Sequence, residues 1–153
     1  MDKSKSKITS IIFVCLGNIC RSPLADGIAK KYSQENGLKL NIDSAGTGDW
    51  HVGENPCRNS VVVAKNNGVD ISKLISRQVT KEDLDSFDLV VALDDKNLSD
   101  LSSLGAKNLV KLGDFGYDGA DVPDPYFFNG FEGFDKVYDM IHTCVINLIK
   151  ENS

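Results

Sequence analysis

Apolar positions recur along this chain in two alternating rhythms. Residues 8 to 14, Ile-Thr-Ser-Ile-Ile-Phe-Val, run almost unbroken into Cys15, as expected of a strand buried on both faces. Ser22-Pro23 then sets a good N-cap before a proline at the first helical position, and Leu24, Ile28, Ala29 and Tyr32 follow helical spacing up to a stop at Asn36-Gly37. The pattern predicts a short strand at about 39 to 45 and a helix from about Pro56 to Asn67 closed by Gly68. Thr80-Lys-Glu-Asp reads as a capping box opening a short helix. Asp88 to Leu93 reads as a buried strand, 95 to 103 as a brief helix, and Asn108 to Leu112 as the last strand. Phe134, Val137, Tyr138, Ile141, Val145, Leu148 and Ile149 mark a final helix from about Phe131 to Lys150.

Strands alternating with helices imply a parallel sheet covered by helices on both faces, and such sheets bind ligands at the carboxyl ends of their strands. Cys15 sits at that end of the first strand. The stretch between Gly113 and Gly133, rich in Gly, Asp, Pro and aromatics, is a loop of the length that usually carries function.

A length of 153 residues suits one domain, residues 1–153, with residues 1–7 as a flexible tail holding Lys3, Lys5 and Lys7. With 41% hydrophobic and 25% charged residues the chain reads as globular, and its longest apolar run, Ile11 to Leu16, is far too short to span a bilayer. A net charge of −5 argues against nucleic acid as a partner. The N-terminus lacks a signal-peptide cleavage pattern, and four cysteines without dense spacing fit reduced thiols. A cytoplasmic protein, not bound to membranes, is expected.

The chemistry concentrates in Cys15-Leu16-Gly17-Asn18-Ile19-Cys20-Arg21-Ser22. A turn between a strand and a helix N-terminus gathers unpartnered N–H groups and the positive end of the helix dipole, which favours an oxyanion. Gly17 and Asn18 tolerate the left-handed backbone such a cradle needs. The same field, with Arg21, favours the thiolate of Cys15 and so makes it a nucleophile. Arg21 can grip two phosphate oxygens in fork geometry, and Ser22 can donate to the departing thiolate. A lone strand-end cysteine is ordinarily a packing residue, but this surrounding pattern reverses that reading. Expelling an alkoxide or phenolate also needs an acid, and the long loop offers Asp121 and Asp124.

Val14 to Pro23 resembles the whole signature V-C-x-G-N-x-C-R-S-P of the low-molecular-weight protein tyrosine phosphatases. Asp43-Ser44-Ala45-Gly46, Asp49-Trp50-His51-Val52-Gly53, Arg77-Gln78-Val79-Thr80 and Asp124-Pro125-Tyr126 follow in that family's order. The resemblance implies a four-stranded parallel sheet in a flavodoxin-like three-layer architecture. It also implies a metal-independent and cofactor-free phosphatase acting on phosphotyrosine proteins through a phosphocysteine, as a monomer or weak dimer. It selects Asp124 as general acid and base, with Trp50 and Tyr126 walling the slot and Phe127 where the family often has a second tyrosine. It implies a network of Asn18, Ser22 and Ser44 bracing the cradle. The histidine that the family adds to this network is missing, with Leu74 near its place.

Cys20 reads either as a packing thiol or as partner to Cys15 in a reversible disulfide that shelters the nucleophile from overoxidation. Two thiols five apart without a second pair make a poor zinc site. Cys57 and Cys144 have no special context, and His51 and His142 read as loop and surface residues. A thioredoxin-coupled arsenate reductase needs further cysteines, and residues 58 to 143 contain none. A protein arginine phosphatase typically has threonine where this chain has Ile19. An inactive phosphopeptide-binding module would lack Cys15, Arg21 or Asp124, and all three are present.

Overall fold

The run of branched residues ending at Cys15 forms β1 (Ser10–Cys15), the strand on which the rest is assembled. It pairs in parallel with β2 (Asn41–Gly46) on one side and with β3 (Leu89–Ala92) on the other, and β4 (Leu109–Lys111) extends the sheet to the order β2-β1-β3-β4. The computed structural model describes residues 8–123 and 132–152. Helices α1 (Arg21–Glu35), α2 (Arg58–Asn66), α3 (Lys81–Ser86), α4 (Asp95–Ser103) and α5 (Glu132–Asn152) fill the connections, with a 3-10 turn at Leu112–Phe115.

Strand alternation sorts the core into two layers of side chains. Ile11, Phe13, Leu89 and Val91 meet Leu24 and Ile28 of α1, Val63 of α2, and Val137, Ile141 and Leu148 of α5. Ile12, Val14, Val90 and Ala92 point the other way, towards Leu84 of α3 and Leu101 of α4. The result is the expected three-layer α/β arrangement. Phe13 lies fully buried in the larger layer, where truncation to alanine would cost about 3–5 kcal/mol. Among the described residues no helix is long and apolar enough to cross a membrane.

One expected boundary is corrected. Helix α1 begins at Arg21 with Cys20 as its N-cap, and no side chain caps it. Ser22 therefore lies inside the first turn, its hydroxyl bonded to Cys15 and Asn18 rather than to its own helix. Pro23 still fits there, because the N–H it lacks is one that the first turn leaves unpaired. The capping box at Thr80 is present, with Asp83 as its reciprocal partner.

The chain leaves β1 towards β2, while the sheet continues on the opposite side through β3. This reversal opens a crevice at the carboxyl ends of β1 and β3, where Cys15 stands.

Candidate active site

The backbone from Cys15 to Arg21 is shaped by what its carbonyls bind. Those of Cys15 and Leu16 accept from the N–H groups of Thr47 and Gly48, both at 2.9 Å, and that of Ile19 from Cys57 N–H at 2.7 Å. The carbonyls of Gly17 and Cys20 accept the hydroxyls of Ser76 and Ser60, both at 3.0 Å. A trans peptide unit points its N–H opposite to its carbonyl. Five outward-tied carbonyls therefore turn the next N–H groups back into the loop. Asn18 N–H, in the same peptide unit as the Gly17 carbonyl, does point inward and reaches Cys15 Sγ at 3.2 Å. The first turn of α1 contains no acidic side chain to occupy its free N–H groups.

Close backbone approach makes this possible. A Cβ on Gly46 would sit 2.7 Å from the Leu16 carbonyl oxygen and 3.2 Å from Asn18 N, so only glycine lets the end of β2 lie against the loop.

Behind the cradle runs a line of hydrogen bonds, part-buried at Arg77 and buried from Asn18 to Cys15. Arg77 N–H donates to Asn18 Oδ1 at 3.0 Å, and Asn18 Nδ2 donates to Ser22 Oγ at 2.8 Å. Ser22 Oγ lies 3.0 Å from Cys15 Sγ. A thiolate can only accept, so in that state the serine proton points at sulfur. Asn18 holds a φ of +57°, a conformation that asparagine bears better than most residues. The Arg77 guanidinium forks onto Asp83 (2.8 and 3.0 Å) and also reaches Asp43 at 3.0 Å. Burial works to raise the Asp83 carboxyl, but Arg77 and the Thr80 N–H carry it below the usual carboxylate range. The cradle is thus tied through Arg77 to β2 and α3.

Arg21 is buried beside the thiol, with Nη1 donating to Asp94 Oδ2 at 2.8 Å and to the Val122 carbonyl at 2.9 Å. Asp94 also caps α4 through Asn97 N–H at 2.7 Å. Nη2 and Nε have no protein partner among the described residues. Cys15, Leu16, Gly17, Ile19, Cys20 and Arg21 line a pocket of about 230 Å³ walled by Trp50 and His51. Trp50 is 67% exposed, and its ring lies over Gly48, where any Cβ would collide with it.

Several expected residues stand elsewhere. Ser44 donates its hydroxyl to Asp26 Oδ2 at 2.8 Å, while the Asn18 side chain bonds Ser22 and Arg77. Burial holds the Asp26 carboxyl above its ordinary range despite Lys30 at 2.8 Å. Leu74 packs against the core, and the Arg77 backbone N–H occupies the Asn18 oxygen instead of a histidine. Cys20 forms a disulfide with Cys57, while Cys15 is free. Neither reading of Cys20, as a packing thiol or as partner to Cys15, anticipated this bond, which arises because α2 begins beside the loop and brings Cys57 to Cys20. Asp121 lies 2.7 Å from Lys111 Nζ and accepts from Asp95 N–H at 2.9 Å. The bond from Lys111 holds its carboxyl below the usual range, unsuited to delivering a proton near neutral pH. Asp124, Tyr126 and Phe127 lie outside the described residues.

Sequence reasoning passed over Thr47, Cys57, Ser60, Ser76, Asp94 and the Val122 carbonyl. Most act through main-chain groups or single hydroxyls that no local pattern distinguishes. It also set His51 aside as a loop residue, and the structure puts it on the pocket wall.

Comparison with known proteins gives the same frame. Residues 10–152 match the family model for low molecular weight phosphotyrosine protein phosphatase. The low molecular weight protein-tyrosine-phosphatase YfkJ of Bacillus subtilis is 42% identical over 131 residues, covering 80% of this chain and 84% of that one. PtpA of Staphylococcus aureus is 36% identical over 147 residues, covering 93% and 92%. The crystal structure of a protein tyrosine phosphatase from Entamoeba histolytica superposes with a TM-score of 0.87 at 36% identity, covering 94% and 96%. With family model, relatives and architecture in agreement over nearly its whole length, the chain belongs to the low molecular weight phosphotyrosine protein phosphatases, a family of hydrolases.

Proposed function

We propose that the chain hydrolyses phosphotyrosine in protein substrates, and small aryl phosphates, through a phosphocysteine on Cys15. The observation that carries this reading is the set of outward-tied carbonyls at Cys15, Leu16, Gly17, Ile19 and Cys20. It converts the loop into a ring of inward N–H groups around a thiol that already accepts from Asn18 and faces Ser22.

The phosphate oxygens would take these N–H groups and the Nη2 and Nε edge of Arg21, whose Nη1 Asp94 and Val122 hold in orientation. The Cys15 thiolate attacks phosphorus as the ester P–O bond breaks, and Asp124 gives its proton to the leaving oxygen. In the second step the Asp124 carboxylate takes a proton from water, the water oxygen bonds to phosphorus, and the thiolate departs with Ser22 donating to it. Asp124 follows Val122 by two residues, a span of at most about 7 Å, and the Val122 carbonyl touches Arg21. Asp121 is tied to Lys111, which supports Asp124 rather than Asp121 as the acid. The apolar Ile19 and Trp50 on the pocket wall suit an aryl ring. No metal or cofactor enters these steps, because thiolate, guanidinium and N–H groups supply nucleophile and charge.

The relatives are named for protein tyrosine phosphatase activity, which supports a phosphoprotein as the partner rather than nucleic acid or membrane. A single phosphatase domain, monomeric or weakly dimeric, suffices for this chemistry. A nucleophile that works as a thiolate suits the cytoplasm, where the Cys20–Cys57 pair would be open to reduction.

The test compares phosphotyrosine, phosphoserine, phosphoarginine and arsenate on one preparation containing a chelator. Phosphotyrosine and para-nitrophenyl phosphate should turn over, and Cys15→Ser should abolish both. Asp124→Asn should lose far more rate with poor leaving groups than with good ones. Full activity in Cys15→Ser, or equal losses across leaving groups in Asp124→Asn, would overturn the mechanism.

A further inference from the structure

Beside the phosphate pocket runs a second depression of about 540 Å³, between Trp50 and helix α4. It shares Leu16 and Trp50 with the pocket, so the two adjoin and a molecule anchored by phosphate at Cys15 can extend past Trp50 into it. Leu16, Trp50 and Leu104 line it at 42%, 67% and 51% exposure. Large apolar side chains left this open on one connected surface mark a place where another molecule is received.

The polar lining says what kind of molecule. Lys96 and Asp100 face each other at 3.4 Å, an exposed i,i+4 pair whose charges cancel across the rim, with Ser103 beside them. The groove therefore has no uncompensated charge to select an acidic or basic side chain. Its backbone offers no strand edge either. The N–H groups of Thr47 and Gly48 are already bonded to Cys15 and Leu16, and the Thr47 carbonyl accepts from Gln78. With these groups taken, a polypeptide gains little by adding to it as a β-strand and binds through a side chain. Consecutive Cα atoms stand 3.8 Å apart, so residues one or two along from a phosphotyrosine fall within reach.

Resting on the phosphotyrosine reading above, we infer that this groove is the subsite for substrate polypeptide, taking an apolar side chain one or two residues from the phosphotyrosine between Trp50 and Leu104. Leu104 is then a specificity-determining residue outside the chemistry, and the groove prefers leucine to alanine or aspartate at that substrate position.

The experiment uses the full chain with para-nitrophenyl phosphate and a set of phosphotyrosyl peptides. The peptides carry Leu, Ala or Asp in turn at each of the two positions on either side of the phosphotyrosine. At one position the Leu peptide should show a KM lower than the Ala peptide by about three- to tenfold, the range expected where roughly half of one apolar side chain leaves water in an open groove. Leu104→Ser, an exposed change that should leave the urea midpoint in place, should erase that preference and leave kcat/KM for para-nitrophenyl phosphate unaltered. Equal KM values for all peptides, or a preference that survives Leu104→Ser, overturn the inference while the phosphatase reading stands. Failure to hydrolyse para-nitrophenyl phosphate at all overturns both. If the wild type dimerises with concentration and Leu104→Ser abolishes that without touching peptide KM, the groove belongs to a second copy of the chain and the inference is overturned.

Discussion

Asn18 joins two costs that can be measured apart. Its side chain takes Arg77 N–H at 3.0 Å and gives to Ser22 Oγ at 2.8 Å, and its backbone sits at a φ of +57°. Removing the side chain leaves a part-buried N–H without its partner, about 1–2 kcal/mol, and loses the bond to Ser22, about 1 kcal/mol. Asn18→Gly, which is at ease at positive φ, should therefore destabilise by about 2–3 kcal/mol. Asn18→Ala adds the left-handed penalty of about 1–2 kcal/mol, offset by about 0.4–1 kcal/mol because the unfolded alanine chain has less freedom to lose. It should fall below the glycine variant by about 0.5–1 kcal/mol. Both remain folded if stability lies in the ordinary range of about 5–15 kcal/mol.

Urea midpoints at unchanged m-value read both costs, the first from glycine against wild type and the second from alanine against glycine, and kcat on an aryl phosphate reads the orientation of Ser22. Both variants should lose kcat, since Ser22 is no longer oriented on Cys15. Glycine within about 0.5 kcal/mol of wild type would show that the two hydrogen bonds add nothing beyond what water supplies. Alanine as stable as glycine would refute the backbone argument. Asn18→Asp separates charge from shape: it keeps the acceptor for Arg77 N–H, but its carboxylate cannot donate to Ser22 and stands near an anionic sulfur. Its kcat/KM should fall further than its stability.

Asp94→Asn keeps the cap on Asn97 N–H but removes the charge that orients Arg21; kcat/KM should drop about ten- to a hundredfold with the melting temperature little changed, as expected for one charge-assisted bond. An unaltered kcat/KM would show that the Val122 carbonyl alone positions the guanidinium. For Asp26, burial lifts the folded carboxyl above its ordinary range, so the folded state holds its proton more tightly than the unfolded one. The contribution of Asp26 to stability is therefore greatest below the ordinary carboxylate range and declines as pH rises through the folded value. Asp26→Asn should gain on wild type in urea midpoint between pH 4 and 8, and a steady loss over that range would contradict the assignment. With Cys20 bound to Cys57, a sulfenic acid formed on Cys15 by hydrogen peroxide has no neighbouring thiol in Cys20 to resolve it. Further peroxide then carries the Cys15 sulfenic acid on to the sulfinic acid, which dithiol does not reduce, so the disulfide form should lose its activity beyond rescue, whereas Cys57→Ser, in which Cys20 condenses with the sulfenic acid and expels water, should recover more than half its activity. Equal recovery would remove Cys57 from the account.

Much of this was legible in the sequence because it is local. Two faces of β1 alternate into two core layers, so Ile11 to Val14 already announce a covered central strand. The order Cys15, Gly17, Asn18, Arg21 announces a cradle, because each residue type answers a requirement of its own backbone or charge. What failed to show was anything decided between distant segments. Ser22 looked like a cap because Ser-Pro is a good helix start in isolation, but a buried hydroxyl goes to the partner that most needs it, here Cys15 and Asn18. Cys57 looked idle because its closeness to Cys20 arises only when α2 docks against the loop.

The missing histidine makes the same distinction sharper. A network inferred residue by residue loses a member at Leu74, which suggests a loosened Asn18. The cradle is instead braced by backbone: Arg77 N–H holds Asn18, the Ser76 hydroxyl holds the Gly17 carbonyl, and the Glu54 carbonyl accepts Ser76 N–H at 2.8 Å. Main-chain donors need no particular side chain, only a segment held at the right distance, and Arg77 supplies that by clamping onto Asp83 and Asp43. The residue at position 74 can then serve the core, because the work of a side chain has passed to the path of the chain beside it.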